Sequence, residues 1–224
     1  MTRARPTREE RKARTRGLLL DAGAKVFARR GFHAASVEEI AEEAGFSTGA
    51  LYSNFSGKED LFLALLEEEI ADDVRKYGEI FERARDLDEQ ARGGADEWMR
   101  ELQRDPEHFA LFIEFWAYAA RDPDLRRKFA ARFGAFREAF GRMVEKAAAE
   151  MGVELAPGVA EQLGTVVNAL GNGMALEKVS DPDAVPDELL GFVLSFLFQA
   201  LLEAVRAGQF PEDAQATRAR ARTR

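Results

Sequence analysis

The stretch SVEEIAEEAGFSTGALYSNF, at residues 36–55, contains two short helical patterns joined by a glycine. Ser36 begins a capping box, in which a hydroxyl and a carboxylate three residues later satisfy free N–H groups of the first turn. Gly45 then ends the first helix, and Ser47 can cap the second. Two short helices joined by a tight glycine turn are typical of a helix-turn-helix. We therefore predict a major-groove reading helix over 47–55.

Small residues at the start of this helix would let its backbone approach base edges closely. Tyr52, Ser53 and Asn54 lie on or near its outward side, where they can bind phosphates or read a base. Ser36 and Lys58 each stand near a helix N-terminus, which favours anions. The predicted DNA-binding residues are Ser36, Ser47, Thr48, Gly49, Ala50, Tyr52, Ser53, Asn54 and Lys58.

The charge is distributed unevenly along the chain. The 224 residues carry a net charge of −8, yet residues 1–35 hold ten basic and three acidic side chains, a net charge of +7. The other 189 residues therefore carry −15. Because phosphate neutralisation drives duplex binding, this asymmetry favours a basic DNA-binding module on an acidic body. A solvated basic tail would produce the same asymmetry and is the alternative.

The composition favours an all-α fold. Hydrophobic residues make up 46% of the chain and charged residues 32%, with Ala, Leu, Glu and Arg dominant and β-branched residues sparse. Asp-Pro-acid triplets at 105–107, 122–124 and 181–183 predict helix starts, because aspartate suits the N-cap and proline the first helical position. There is no cysteine, which excludes disulfides and thiolate chemistry.

Helical periodicity predicts the remaining elements. A first helix ends at Gly31, and a second capping box at Ser56 opens a long fourth helix. A phenylalanine stripe predicts a long helix that ends near Gly152. Two further helices are expected over 159–179 and 187–207.

The predicted domains are a helix-turn-helix domain at 1–60, a helical ligand-binding and dimerisation domain at 61–210 and a disordered basic tail at 211–224. Residues 189–205 are apolar enough to raise a membrane-spanning alternative, but a helix buried in a large interface has the same composition. No secretory signal pattern is visible near the N-terminus, so we expect a cytoplasmic protein without a membrane partner.

The residues quoted above resemble the N-terminal domain of the tetracycline-repressor (TetR) family. The likeness covers Leu19-Leu20-Asp21-Ala22, Phe27, Gly31-Phe32, residues 36–45 and residues 48–61. It implies an all-helical homodimer that has three N-terminal helices for DNA and a ligand-binding body whose last two helices pair across a twofold axis.

The resemblance also implies roles for single positions. Tyr52 and Lys58 match phosphate contacts, Ser36 matches the phosphate-binding start of the second helix, and Ser47 to Ala50 match base-reading positions. Asn54 departs from the pattern, since the family often has histidine there.

Aromatic residues are dense in the predicted body, where an aromatic stripe can be plain core or a ligand pocket. The resemblance favours a pocket in the middle of the body. We predict a small, largely apolar or aromatic effector, bound by Phe112, Phe115, Trp116, Phe133, Phe136 and Asn168.

No catalytic constellation or phosphate-binding glycine loop is visible. His33 and His108 are the only histidines, so we predict no metal site, no cofactor and no enzyme activity. The sequence predicts a ligand-responsive transcriptional regulator, a homodimeric repressor released from a palindromic DNA operator by its effector. The alternatives are a helical enzyme or carrier that does not act on DNA, and a dimeric scaffold without a ligand.

Overall fold

The computed structural model describes residues 7–207 and contains only helices in that range, which confirms the predicted all-α class. The predicted tail at 211–224 lies outside the described residues. The helices are α1 Arg8–Ala34, α2 Val37–Glu43, α3 Thr48–Tyr52, α4 Lys58–Arg83, α5 Leu87–Arg104, α6 Pro106–Ala119, α7 Pro123–Glu150, α8 Val159–Ser180 and α9 Leu189–Arg206.

The chain forms two compact units. The first unit comprises residues up to Glu69 together with Glu107–Arg132, and the second comprises Ile70–Pro106 together with residues from Phe133 onward. This division differs from the predicted boundary at residue 60, because most of α6 and the beginning of α7 belong to the first unit. Helices α4 and α7 contribute residues to both units.

The first helix is longer than the sequence pattern suggested. Its N-cap is Thr7, whose hydroxyl accepts a hydrogen bond from Glu10 N at 3.1 Å while the Glu10 carboxylate accepts one from Thr7 N at 2.7 Å. The helix is interrupted near its end at Gly31, where φ is +72°. This backbone conformation suits glycine and agrees with the predicted end of the helix.

Two of the three Asp-Pro-acid triplets begin helices. Helices α6 and α7 start at Pro106 and Pro123 as expected. The prediction for the third triplet was wrong, because Asp181 Oδ1 accepts from Asp183 N in a turn and the next helix starts only at Leu189. An aspartate that binds the N–H two residues later stabilises a turn as readily as a helix start.

An aromatic cluster forms the core of the first unit. The rings of Phe62 on α4 and Phe115 on α6 stack with centroids 4.1 Å apart, and Phe32 meets Phe115 edge-on at 4.9 Å. Phe32 and Phe115 are fully buried. Since aromatic side chains bury large apolar areas, this cluster fixes α1, α4 and α6 against each other.

The second unit contains a close pairing of α5 with α9. A Cβ placed on Gly191 would lie 3.4 Å from Arg92 Cα, in van der Waals contact, so the two helices leave room there for little more than a methyl group. The buried Ser195 hydroxyl donates a hydrogen bond to Asp88 Oδ1 across the same contact. Among the described residues, α9 is the helix whose length and composition would allow it to span a membrane. One of its faces is nevertheless occupied by α5.

Candidate nucleic-acid interface and ligand cavity

The turn between α2 and α3 is closed by a glycine in the left-handed conformation. Gly45 has φ +71°, Phe46 N donates to Ala41 O at 2.9 Å, and Gly45 N donates to Glu42 O at 2.9 Å. These two bonds make a Schellman motif, which satisfies the last carbonyls of α2. The turn of the predicted helix-turn-helix is therefore present where the sequence placed it.

The start of α2 contains half of the predicted capping box. Ser36 Oγ accepts from Glu39 N at 3.1 Å, as expected of an N-cap. The Glu39 carboxylate, however, accepts from Arg30 Nε at 3.2 Å instead of returning to Ser36. The hydroxyl hydrogen of Ser36 is not used by this cap.

Helix α3 runs over Thr48–Tyr52 and is shorter than the predicted range of 47–55. Ser47 caps it by accepting from Ala50 N at 3.2 Å. The helix ends because Ser53 Oγ and Asn54 Nδ2 both donate to Ala50 O, each at 2.8 Å. Asn54 therefore closes the helix with its side chain, a local role that the sequence pattern did not reveal.

The outer side of α3 is open to solvent. Tyr52 is 57% exposed, Gly49 and Ser53 are exposed, and Thr48 is half-buried. A Cβ on Gly49 would come no nearer to another part of the protein than 3.8 Å, at Ser47 Oγ. Glycine destabilises a helix by about 1 kcal/mol relative to alanine. Since the structure leaves room for a methyl group at position 49, packing within the protein does not explain why glycine stands there.

Lys58 stabilises the chain before α2. Its ammonium donates to the carbonyls of Phe32, His33 and Ala35 at 2.9, 3.0 and 2.9 Å, and lies 4.8 Å from the centre of the Phe32 ring. A lysine has three N–H donors, and all are used here. In this conformation Lys58 has no N–H donor left for the phosphate contact that the sequence predicted.

Helix α6 binds the same segment through its N–H groups. The Glu114 carboxylate accepts from Phe32 N at 3.0 Å and from His33 N at 2.8 Å. On the next turn of α6, the Tyr118 hydroxyl donates to Glu59 Oε1 at 3.2 Å. Burial of the ring, followed by the nearby Glu59 charge, raises the pKa of Tyr118. The segment leading into α2 is therefore stabilised from both α4 and α6.

Basic residues of α1 lie beside the end of α3. Arg16 donates to Asn54 O at 3.4 Å, and its guanidinium stands 4.3 Å from the centre of the Phe55 ring. Arg8, Arg11 and Arg14, on the preceding turns of α1, are exposed. The first turns of α1 thus carry exposed arginines, and Arg16 contacts the two residues Asn54 and Phe55 that follow α3.

The predicted ligand-binding residues fall into two groups. Phe112, Phe115 and Trp116 belong to the first unit, where their rings pack on Phe129. They do not line the cavities of the second unit described below. Periodicity predicted a helix buried on two sides, but of these three rings Phe115 alone is fully buried, Phe112 is half-buried and Trp116 is 40% exposed.

Two small cavities lie in the second unit, with volumes of about 70 and about 40 Å³. Phe136 and Asn168 line the larger cavity, and Phe133 stacks on Phe136 at 6.4 Å. The two cavities share three lining residues, Phe81, Gln90 and Phe198. Their walls are almost entirely apolar.

Three residues that the sequence prediction missed also line the larger cavity: Tyr77, Gln90 and Trp98. Burial, followed by the charges of Asp73 and Glu97, raises the pKa of Tyr77. Gln90 and Trp98 lie on α5, a helix that the sequence prediction did not contain. The Asp86 N-cap, which accepts from Glu89 N at 2.9 Å, was the available signal.

Comparison with known proteins covers both parts of the chain. Residues 19–65 match the tetR family of bacterial regulatory proteins, and residues 87–203 match the C-terminal domain of BetI-type transcriptional repressors. The transcriptional activator FasR of Mycolicibacterium smegmatis is 34% identical over 44% of this chain and 45% of its own length. The repressor AcnR of Corynebacterium diphtheriae is 31% identical over 49% of this chain and 53% of its own length. The chain thus spans about half the length of these relatives.

A solved structure shares the fold over most of the chain. The transcriptional regulator FadR of Bacillus subtilis, in complex with stearoyl-CoA, aligns with a TM-score of 0.62 over 81% of this chain and 96% of its own, at 18% identity. One family description thus matches the helix-turn-helix and another the helices that follow. The chain belongs to the tetR family of bacterial regulatory proteins.

Proposed function

We propose that this chain is a cytoplasmic, homodimeric transcriptional regulator that binds an operator through α3 and is released from it by an elongated apolar effector. It has no enzymatic role in this proposal. The observation that carries it is the open outer side of α3, where Gly49 is unexplained by the protein's own packing and Tyr52 stands out into solvent.

DNA binding through this surface follows from its chemistry. Thr48, Gly49 and Ala50 offer a narrow surface for base edges, while Tyr52 and the hydroxyls of Ser36 and Ser47 can donate to phosphates. The exposed arginines of α1 would draw the duplex towards this surface. Lys58 is not part of the proposed interface, since its N–H groups are occupied.

Dimerisation is proposed through α8 and α9. Phe192 and Phe196 stand one turn apart on α9 and are 59% and 68% exposed, and Leu176 on α8 is 50% exposed. Large apolar side chains grouped in this way mark an interface, and a second copy is the occupant that a palindromic operator requires. Two reading helices about 34–36 Å apart, or a multiple of this spacing, would then face successive major grooves.

The effector is proposed to be a long-chain acyl compound. The two adjoining cavities are lined by apolar side chains, which suits an extended hydrocarbon chain. The related FadR fold with stearoyl-CoA supports the same class of ligand. Volumes of about 40 and 70 Å³ are too small for such a chain, so the bound conformation has to be wider.

This widening supports a regulatory mechanism. Phe81 on α4 lines both cavities, so a chain that fills and widens both would contact and push on this ring. The same helix begins at Lys58, which binds the segment before α2. An effector that favours the wide conformation would shift α4 and lower operator affinity by population shift.

The test is fluorescence anisotropy of the full chain on labelled duplexes from its own upstream region, at several salt concentrations. We expect sequence-selective binding that weakens steeply with salt and is reversed by octadecanoyl-CoA. Binding that lacks sequence selectivity or salt dependence would remove the regulator function and leave a helical carrier. Selective binding that no acyl compound reverses would remove only the effector assignment.

A further inference from the structure

Gln90 on α5 lies where the two cavities adjoin. It lines both cavities and is only 8% exposed. Every other described residue that lines the smaller cavity is apolar. A single buried amide in such surroundings is unusual, because polar groups buried away from water are ordinarily hydrogen-bonded.

The orientation of the Gln90 amide is fixed by its neighbour. Its Nε2 donates to the carbonyl of Phe81 at 3.3 Å. A backbone carbonyl can only accept a hydrogen bond, so the amide nitrogen has to face Phe81. The oxygen is then the free atom, and Oε1 is buried without a hydrogen-bond partner among the residues that the structure describes.

An unpaired buried acceptor destabilises the empty protein. Leucine or methionine would remove that acceptor, but each would also leave the Phe81 carbonyl without the hydrogen bond from Gln90. We infer that Gln90 Oε1 accepts a hydrogen bond from the effector. The effector is then an elongated apolar molecule that has a hydroxyl or amide N–H donor between two apolar segments. This inference rests on the proposed effector function and narrows its ligand class.

Gln90 Oε1 disfavours ligands that place a second hydrogen-bond acceptor beside it. An ether or ketone oxygen at the same place in the chain would set lone pairs against Gln90 Oε1, and a plain methylene would leave that oxygen unpaired. A hydroxylated long-chain acyl group satisfies both requirements. Its hydroxyl meets Gln90, and the hydrocarbon on either side enters one of the two cavities.

The position of Gln90 also connects ligand choice to α4. Phe81 lies in the last turn of α4, which ends at Arg83, and its carbonyl is bound by Gln90. A donor on Oε1 polarises the amide and strengthens the N–H bond to that carbonyl. The residue that selects the ligand therefore contacts the helix that the proposed mechanism moves.

The experiment titrates the full-length protein with octadecanoic acid, with octadecanoic acids hydroxylated at carbon 3, 10 or 12, and with the corresponding methoxy compounds. Isothermal titration calorimetry gives each Kd. We expect one hydroxy compound to bind about tenfold more tightly than the unsubstituted chain, and its methoxy partner to bind no better than that chain. Equal affinities for the hydroxy and unsubstituted chains in the wild-type protein overturn the inference.

Variants test whether Gln90 is responsible. In Gln90→Leu and Gln90→Met the preference for the hydroxy compound should disappear, while the unsubstituted chain binds at least as tightly as before. Gln103→Leu is the matched control, because Gln103 is exposed on the same helix and lines neither cavity. A preference that survives in both Gln90 variants overturns the inference. If neither these acids nor octadecanoyl-CoA binds, the acyl effector itself is overturned, a different failure from equal binding of all compounds.

Discussion

Gly31 and Glu114 fit against each other so closely that a Cβ at position 31 would lie 2.9 Å from Glu114 Oε2. The same carboxylate binds the two N–H groups that follow the glycine. Gly31 also has φ +72°. Both the lack of space and the backbone angle disfavour a side chain at position 31. The contact between α1 and α6 through Glu114 therefore depends on this glycine.

Gly31→Ala should therefore destabilise the protein by about 1–3 kcal/mol, because φ +72° with ψ 171° is a backbone region that essentially only glycine adopts, and by more if Glu114 cannot move aside. Urea unfolding followed by circular dichroism measures this. Gly134→Ala is the control, since Gly134 lies inside α7 without a positive φ and its Cβ would meet only the flexible Arg137 side chain at 3.5 Å. Equal stability of the two variants would contradict the prediction.

Gly49→Ala should lower operator affinity without lowering the stability of the protein. The new methyl group enters open space, so the free energy of unfolding should stay level or rise by up to about 1 kcal/mol. Operator affinity should fall at least tenfold, because the methyl group stands between α3 and the base edges. Anisotropy titration measures the affinity, with Gly134→Ala as a helix-stabilising control. Unchanged affinity would show that α3 does not approach the groove this closely.

Lys58→Met should weaken the fold without changing the number of phosphate contacts. Three backbone carbonyls lose their charged donor, for which we expect a loss of about 1.5–3 kcal/mol in stability. The slope of log affinity against log salt should match that of the wild type. A slope smaller by roughly 1 would instead place Lys58 on a phosphate.

Ser195→Ala should reduce the stability that the protein gains between acid and neutral pH. The Ser195 hydrogen bond, followed by Arg92, lowers the pKa of Asp88 in the folded protein. This contribution is fully present above the ordinary pKa of aspartate and is lost as the pH falls through the lowered value. Comparing unfolding at neutral pH and at about pH 3 measures the difference. Ser180→Ala, at the exposed end of α8, should leave it unchanged.

Phe196→Glu should convert the protein to monomers and weaken operator binding. The ring is 68% exposed in a single chain, so the substitution harms an interface more than a core. Analytical ultracentrifugation gives the mass, and Ala149→Glu at an exposed site on α7 is the control. A Phe196→Glu protein that sediments as a dimer would contradict the proposed use of α9.

The sequence predicted best those features that are decided within a few residues. The Ser36 cap, the glycine turn at Gly45 and the starts of α6 and α7 depend on local hydrogen bonds and backbone angles. The capping box at Thr7 has an equally local signal, T-R-E-E, that the prediction overlooked. Helix α5 was not predicted, because Gly93 and Gly94 in its middle are unfavourable in a helix and interrupt the pattern.

Contacts between distant helices account for what the sequence did not predict. A Cβ on Gly93 would lie 3.0 Å from Ile80 Cγ2, so this glycine serves the packing of α5 on α4 and not the helix itself. Phe115 is buried, as its periodicity suggested, but its partners are Phe62 and Phe32. No spacing within α6 distinguishes a ring in a core from a ring in a cavity wall. The contacts of Lys58 were not predicted for the same reason, since the three carbonyls that it binds lie 23 or more residues away in sequence.

The tight contact at Gly191 limits how this protein could acquire a different ligand. A Cβ on Gly191 would already be in van der Waals contact with Arg92 and Ala95, and the hydrogen bond from Ser195 to Asp88 joins α9 to α5, so position 191 in this wall has room for little more than a methyl group. Room for a longer or wider molecule has to come from the opposite side, by trimming Phe136 or Phe140 on α7. Descendants with new ligand preferences should thus differ mainly along α7 while keeping a small residue at 191.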